Sequence, residues 1–314
     1  MKKLAVCVFL LVFISAFAFS QNSSVDTSWK KGGFGSLLLN QSAFSHWAAG
    51  GVNSFALTII ANGYINYKSG KNLWENYLNA NYGVIKQQYE KKLRKNTDHL
   101  ELQTKYGHEI AKNVYLTGLI NFQTQFAPGY NPAFDTVTSD FMAPAYVLAS
   151  IGVEWKPVSY LSFYLSPATA KFTFVWNQEV ADLVIHGASL YGTDPAIYDS
   201  DGNLISHGDK SRAEFGALFT AALQKDIMKN VNLATKLSLF NSYQKNTDIN
   251  YDLYLNMKVN KWITASFFTN IIYDNDVIIK DYNEDGSQKG TAGPRTQVKE
   301  GFGVGLTYKF GDQK

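Results

Sequence analysis

Residues 301–310 read GFGVGLTYKF, close to the end of the 314-residue chain. Two readings compete for this glycine-rich stretch. A dinucleotide-binding loop needs its glycines to open a helix that carries the phosphate. Four residues follow Phe310 here, too few for such a helix. The second reading is a β-strand, in which successive side chains point to opposite faces. Phe302, Val304, Leu306, Tyr308 and Phe310 then form one wholly apolar face, and Gly301, Gly303, Gly305, Thr307 and Lys309 form a small or polar one. A strand with one greasy face and one polar face fits the wall of a transmembrane β-barrel.

The same alternation recurs upstream. One face carries Phe55, Leu57, Ile59, Ala61, Ile65 and Tyr67, and another carries Val114, Leu116, Gly118, Ile120 and Phe122. Ala145 to Trp155, Phe215 to Leu223, Tyr251 to Val259 and Ile263 to Tyr273 repeat it. With a first strand near Phe34–Phe44, the pattern predicts an all-β, antiparallel up-and-down barrel of twelve strands, with ten or fourteen as alternatives. The region 166–210 is expected to be a long loop, although TAKFTFVWNQ at 169–178 could lengthen the seventh strand or add others. The connections alternate in length. SGKN, AKN, KPVS, IMKN and NK are short, whereas 127–140, 166–210 and 275–296 are long. Membrane barrels have short periplasmic turns and long external loops, so both termini are expected on the periplasmic side. Trp74, Trp155, Tyr67, Tyr106, Trp262, Tyr308 and Phe310 cluster near the short turns, as aromatic residues do at a membrane interface. A soluble β-sandwich is the alternative, but its strands run shorter than those read at 52–68 and 72–88.

Composition agrees. The chain is 15% aromatic and has only 7 prolines, and no apolar run after the N-terminus is long enough for a membrane helix. Residues 1–20 read as a secretory signal, with Lys2 and Lys3 before an apolar run and small residues at the expected cleavage site. Removing Lys2 and Lys3 from the 29 bases leaves 27 against 26 acids, and the single cysteine, Cys7, is lost with them. Such a balance gives no basic stripe for nucleic acid. The expected organisation is a signal at 1–20, a periplasmic segment at 21–33 and the barrel at 34–314, in the outer membrane of a Gram-negative bacterium.

Several stretches together resemble one known family: QSAFSHWAAGGVNSFAL, LWENYLNANYG, NFQTQFAPGY, SDFMAPAYVLASIGVEWKP, LSPATAKFTFV, RAEFGALF, FNSYQKNTDINYDLYLNMKVNKWITA, the YDNDV stretch and the final GVGLTYKF. The resemblance is to Bacteroidota proteins catalogued as domain of unknown function 3078. It implies an outer-membrane barrel and offers no established activity, so no catalytic residue is carried over. Phe302, Val304, Leu306, Tyr308 and Phe310 resemble the terminal signal read by the barrel-assembly machinery, with the departure that GDQK follows Phe310.

Strand parity places Glu75, Glu101, Lys105, Glu109, Glu154, Arg212, Glu214, Lys236, Asp252 and Lys258 on the inner face, because a charge facing lipid is expensive. They either pair and fill a narrow lumen or line a polar pore. Twelve strands lie between filled and open barrels, so size does not decide. No cofactor is expected. The partners expected are outer-membrane lipids, the barrel-assembly machinery and a small solute.

Three other motifs have plain readings. DYNEDG at 281–286 begins like a calcium loop, with Asp281, Asn283 and Asp285 as oxygen donors, but its twelfth position is Ala292 where a bidentate Glu belongs. The histidines at 46, 99, 108, 186 and 207 accompany no nucleophile motif, which weighs against a lipid hydrolase. SHWAAGGVNS at 45–54 reads as a tight external hairpin, with Trp47 as the residue that would cap a lumen. The leading expectation is a channel or transporter for a small solute. A non-conducting docking barrel is second and a lipid hydrolase third.

Overall fold

The computed structural model describes residues 28–45, 52–90, 92–131, 134–185, 187–244, 247–277, 279–282 and 288–311. The expected signal at 1–20, His46, Trp47 and most of the SHWAAGG turn, His186, Asn283 and Asp285 lie outside them.

Twelve strands close into one ring. They are β1 (Trp29–Ser42), β2 (Ser54–Ser69), β3 (Asn72–Gln87), β4 (Arg94–Ala111), β5 (Val114–Thr124), β6 (Ala145–Val158), β7 (Leu161–Phe174), β8 (Ser211–Met228), β9 (Val231–Ser242), β10 (Thr247–Lys258), β11 (Ile263–Tyr273) and β12 (Gln297–Gly311). Each pairs antiparallel with the next, and β12 returns to β1. The reason is solvation: in hydrocarbon every backbone N–H and C=O needs a partner from the protein, and a ring leaves no edge. An eleven-residue strand such as β5 spans about 36 Å, or about 28 Å across a membrane at a tilt near 40°. That matches a hydrocarbon core of about 30 Å.

Alternation sorts the side chains as the barrel requires. Outward Ile59, Ile151 and Leu306 are 52%, 64% and 60% exposed, while inward Thr117 is fully buried and Glu154 is 2% exposed. The outward face is therefore a continuous apolar belt, far larger than a water-soluble protein tolerates. Aromatic clusters mark its two rims. At the short-turn end Trp29 packs on Tyr67 and Trp74, and Trp155 stacks on Phe163. At the long-loop end Phe174 lies against Phe172 and Trp176, and Phe215 against Tyr243.

Two boundaries differ from expectation. β1 begins at Trp29, so residues 29–33 of the expected periplasmic segment are barrel wall. β7 continues to Phe174, which shortens the expected 166–210 loop to 175–210. A bulge at Pro167 hides this continuation. Leu165 points outward and so does Phe172, an odd and an even position, because the pairing slips between Ile151↔Ala168 and Val153↔Leu165. The Ser166 hydroxyl donates to the carbonyls of Ile151 and Ala168 and fixes the slip.

The glycines of β12 now have a cause. A Cβ on Gly301 would lie 2.5 Å from the Phe268 ring, and one on Gly305 would lie 2.1 Å from the Leu37 carbonyl oxygen across the β1–β12 seam. The latter contact is to backbone, which cannot turn aside. Gly305→Ala should therefore cost about 1–3 kcal/mol. Urea titration of the refolded protein should show a lowered midpoint, and an unchanged midpoint would contradict this close approach.

Candidate functional site

The inner face carries its charges in three tiers. At the waist, Glu101 on β4 meets Lys236 on β9 at 3.3 Å. These strands are five places apart in a ring of twelve, so the pair crosses the lumen. Asn121 donates to the same Glu101 oxygen at 2.8 Å, and His99 Nε2 lies 3.7 Å from its partner oxygen. Nearby, Asn270 donates to Asp252 at 2.7 Å, and the Tyr77 hydroxyl donates to Asn62 at 2.6 Å.

Toward the short turns, Lys105 donates to Glu154 and lies 3.5 Å from Glu75. Lys156 meets Glu75 at 2.6 Å and Glu154 at 3.7 Å. Two cations thus serve two carboxylates drawn from β3, β4 and β6. Glu154 is almost fully buried, and a buried carboxylate persists only with such partners.

Toward the long loops, Lys171 on β7 meets Asp248 at 2.6 Å, Asp274 at 3.7 Å and Glu214 at 3.8 Å, and sits over the Phe240 ring. Arg212 meets Glu214 at 2.6 Å and Asp276 at 2.5 Å, and donates to the Gly192 carbonyl at 2.8 Å. In this tier two cations face four carboxylates among the described residues.

The lumen is not filled evenly. Along β5 to β9 the inward side chains make a dry core: Leu119, Tyr164, Leu218 and Phe240 are each less than 9% exposed, and Thr117, Ser166 and Thr169 are fully buried. Tyr164 satisfies its hydroxyl on Ser150 at 2.9 Å. Along β10, β11 and β2 the inward residues include Asn250, Asn256, Ser266, Asn270, Asn62 and Tyr64, all only partly buried, alongside Tyr254, Phe268 and Ile60, while on β12 and β1 between them Thr307, Ser36 and Leu38 are buried. The driest part of the inner face thus lies along β5 to β9, and on β10, β11 and β2 polar groups stay partly exposed.

The long loops build a cap. The segments 125–144 and 175–210 share a core of Ala143, Val175, Val180 and Ala181, each at most 1% exposed. Val180 and Ala181 come from a one-turn helix, α1 (Gln178–Ala181), capped by the Asn177 side chain. Tyr191 donates to the Thr138 carbonyl at 2.7 Å, and the Trp176 N–H donates to the Met142 carbonyl at 2.9 Å. Lys95 on β4 anchors this assembly by donating to Asp98, Gln125 and the Ala127 carbonyl. After α1, Asp182 takes a side-chain bond from Gln178 and the Gly208 N–H, and lies 2.8 Å from His207 Nδ1. Burial pushes the Asp182 pKa up, but its bonds with His207, Gln178 and Gly208 outweigh burial and hold it below the usual Asp value.

Of the residues picked out from the sequence, Glu75, Glu101, Lys105, Glu154, Arg212, Glu214 and Lys236 sit in these tiers, with Asp252 beside the waist. Glu109 instead accepts the Asn113 N–H at a turn, and Lys258 lies exposed at the end of β10. Lys156, Lys171, Asp248, Asp274 and Asp276 were not among the expected residues. The KPVS turn takes in Lys156, and the long stretches 166–210 and 275–296 take in Lys171 and Asp276. Two places on from Glu154, Lys156 shares its inner face, which was the available signal. Phe302, Val304, Leu306 and Tyr308 face outward, all strongly exposed. Asp281 lies on the backbone of a loop hairpin, 279–282 with 288–293, beside its undescribed partners. His108 bonds Asn72, His207 faces Asp182 and His99 faces Glu101.

Residues 39–130 match a family model described as a protein of unknown function (DUF3078). The matched part runs from the end of β1 to the loop after β5. No curated protein matches the chain. Among solved structures, the translocator domain of the autotransporter NalP from Neisseria meningitidis is similar at 11% identity and a TM-score of 0.35, covering 98% of this chain and 96% of that one. An outer membrane channel from Pseudomonas putida F1 is similar at 10% identity and a TM-score of 0.39, covering 93% and 98%. The barrel rests on this chain's own strand pairing, not on these distant likenesses.

Removing Lys105 would leave the buried Glu154 with only the 3.7 Å contact to Lys156, a loss of up to about 3–5 kcal/mol. Lys105→Met should lower the urea midpoint strongly, and adding Glu154→Leu should restore much of it. Equal midpoints for the single variant and the native protein would contradict the pairing. Asp182 makes a second prediction. Its folded pKa lies below the unfolded value of about 4, so its contribution is present above about pH 4 and is lost as pH falls through the folded value. Cleavage of the 175–210 loop by an acid-active protease should rise below about pH 4. Asp182→Asn should raise it at every pH and flatten the profile.

Proposed function

We infer that this chain is an outer-membrane barrel that passes or binds a small polar solute along the partly exposed polar groups of β10, β11 and β2, with Glu101 and Lys236 as the waist of that path. The observation that supports the reading is the uneven lumen. A barrel serving only as a wall has no reason to leave polar groups partly exposed along part of its inner face while burying side chains to protein density elsewhere. Amide and hydroxyl groups spaced along a strip can exchange hydrogen bonds with a moving solute without holding it as a fixed charge would. The cap and the Arg212 and Lys171 tier stand at the external mouth of this path.

The remaining parts follow the same reading. Residues 1–20 are a cleaved signal, and the β12 face from Phe302 to Phe310 is what the barrel-assembly machinery engages. The family resemblance points to a Bacteroidota host. One observation favours a second reading, a non-conducting barrel that presents its loops to a partner: the cap has its own buried core and reaches across the mouth. No hydrolytic role is assigned to the described histidines, because the partners of His99, His108 and His207 are carboxylates and an amide, far apart in the fold.

Planar-bilayer recording of the refolded protein tests the two readings. The transport reading expects discrete steps in the native protein. Glu101→Gln with Lys236→Met, which removes the chord across the lumen, should give severalfold larger steps. Silence from both folded proteins would overturn the solvated path and leave the docking reading.

A further inference from the structure

The β1–β12 seam is the shortest in the ring. It has eight paired positions, from Gly32↔Gly311 to Leu39↔Val304, against fourteen between β1 and β2. On the lumen side the seam is bridged by the Ser36 and Thr307 hydroxyls at 2.7 Å. On the lipid side lies a groove of about 470 Å³. Gly35 and Ala61 form its floor, Leu37 and Leu306 its walls, and Tyr308 and Trp262 its rim. Gly35 points the same way as Leu37 and Leu39, and a Cβ placed on it would meet no atom within 4 Å, so the groove is open space directly over the seam.

We propose that this groove holds one phospholipid acyl chain from the short-turn leaflet, as a fixed filler of the barrel seam. Continuity with the apolar belt selects the occupant. The groove opens only onto hydrocarbon, and its lining offers almost no polar atom to a protein or a solute. A void there would leave its walls without contacts, whereas a flexible chain fills it. The rim supplies the second half of a lipid site. Trp262 and Tyr308 are 51% and 58% exposed at the short-turn end, where indole N–H and phenol O–H groups meet headgroups. The Trp262 turn is tied to the seam itself, since the Thr307 N–H donates to the Trp262 carbonyl at 2.7 Å. The groove over Gly118, Ala149 and Ala168 has Tyr106 at its edge but no tryptophan, lies away from the seam and serves as the comparison.

The test is native mass spectrometry of the mature chain, refolded, loaded from palmitoyl-oleoyl phosphatidylethanolamine vesicles and exchanged into detergent. The expected result is one retained phospholipid per chain. Gly35→Leu and, independently, Ala61→Leu should reduce its occupancy severalfold, while Gly118→Leu should leave it intact. Both groove variants point into open space, and heat-modifiable migration on a gel verifies that each has folded. No retained lipid on the native protein, or equal retention in both groove variants, would overturn the proposal. Loss on Gly118→Leu alone would overturn it by placing the lipid in the other groove. A dimer that Gly35→Leu dissolves would overturn it in favour of a second copy of the chain.

Discussion

A polypeptide that crosses hydrocarbon must satisfy every backbone N–H and C=O from within itself. The closed ring of twelve strands is the answer to that demand, and the rest of the molecule is shaped by it. Closure needs two ends of the chain to meet along β1 and β12, and that seam is where side chains are reduced to hydrogen atoms. Gly305 lets two backbones approach, and Gly301 makes way for Phe268 inside the wall. Glycine is tolerated here despite its weakness in strands because the alternative is an unpaired edge in lipid.

Once the ring is closed, its inside becomes a second problem. Charges cannot face lipid, so they turn inward, where they must find one another. The three tiers solve this by sharing: Lys105 with Lys156 serves Glu75 and Glu154, and Lys171 with Arg212 serves four carboxylates. The dry side of the lumen takes the opposite course and fills space with Leu119, Tyr164, Leu218 and Phe240. The two solutions share strands: β7, β8 and β9 carry Lys171, Arg212 and Lys236 as well as Tyr164, Leu218 and Phe240 of the dry core.

The wall was legible in the sequence because lipid on one side imposes a period of two on every strand. Ile59, Ile151 and Leu306 announce the outer face wherever they stand. The signal failed at one place, Pro167, where a bulge reverses the parity and makes a continuing strand look like the start of a loop. Lys171 was lost to view with it. The inner residues were legible as a set, but their pairing was not. Glu101 and Lys236 are 135 positions apart, and nothing near either residue encodes the other. Which charges meet depends on the stagger of all the strands between them. The cap was legible only as length. Its core of Ala143, Val175, Val180 and Ala181 joins two loops whose local sequences carry no shared period.

The Glu101–Lys236 pair also bears on the order in which the molecule is made. Neighbouring hairpins such as β2–β3 need only a turn, so their contacts are available while the sheet is still an open ribbon. In a flat ribbon β4 and β9 stand five strand spacings apart, roughly 24 Å, well beyond the reach of a lysine. Only curling brings them face to face. The pair is thus a record of curvature rather than of sequence neighbourhood, and it forms when the ribbon has already become a tube.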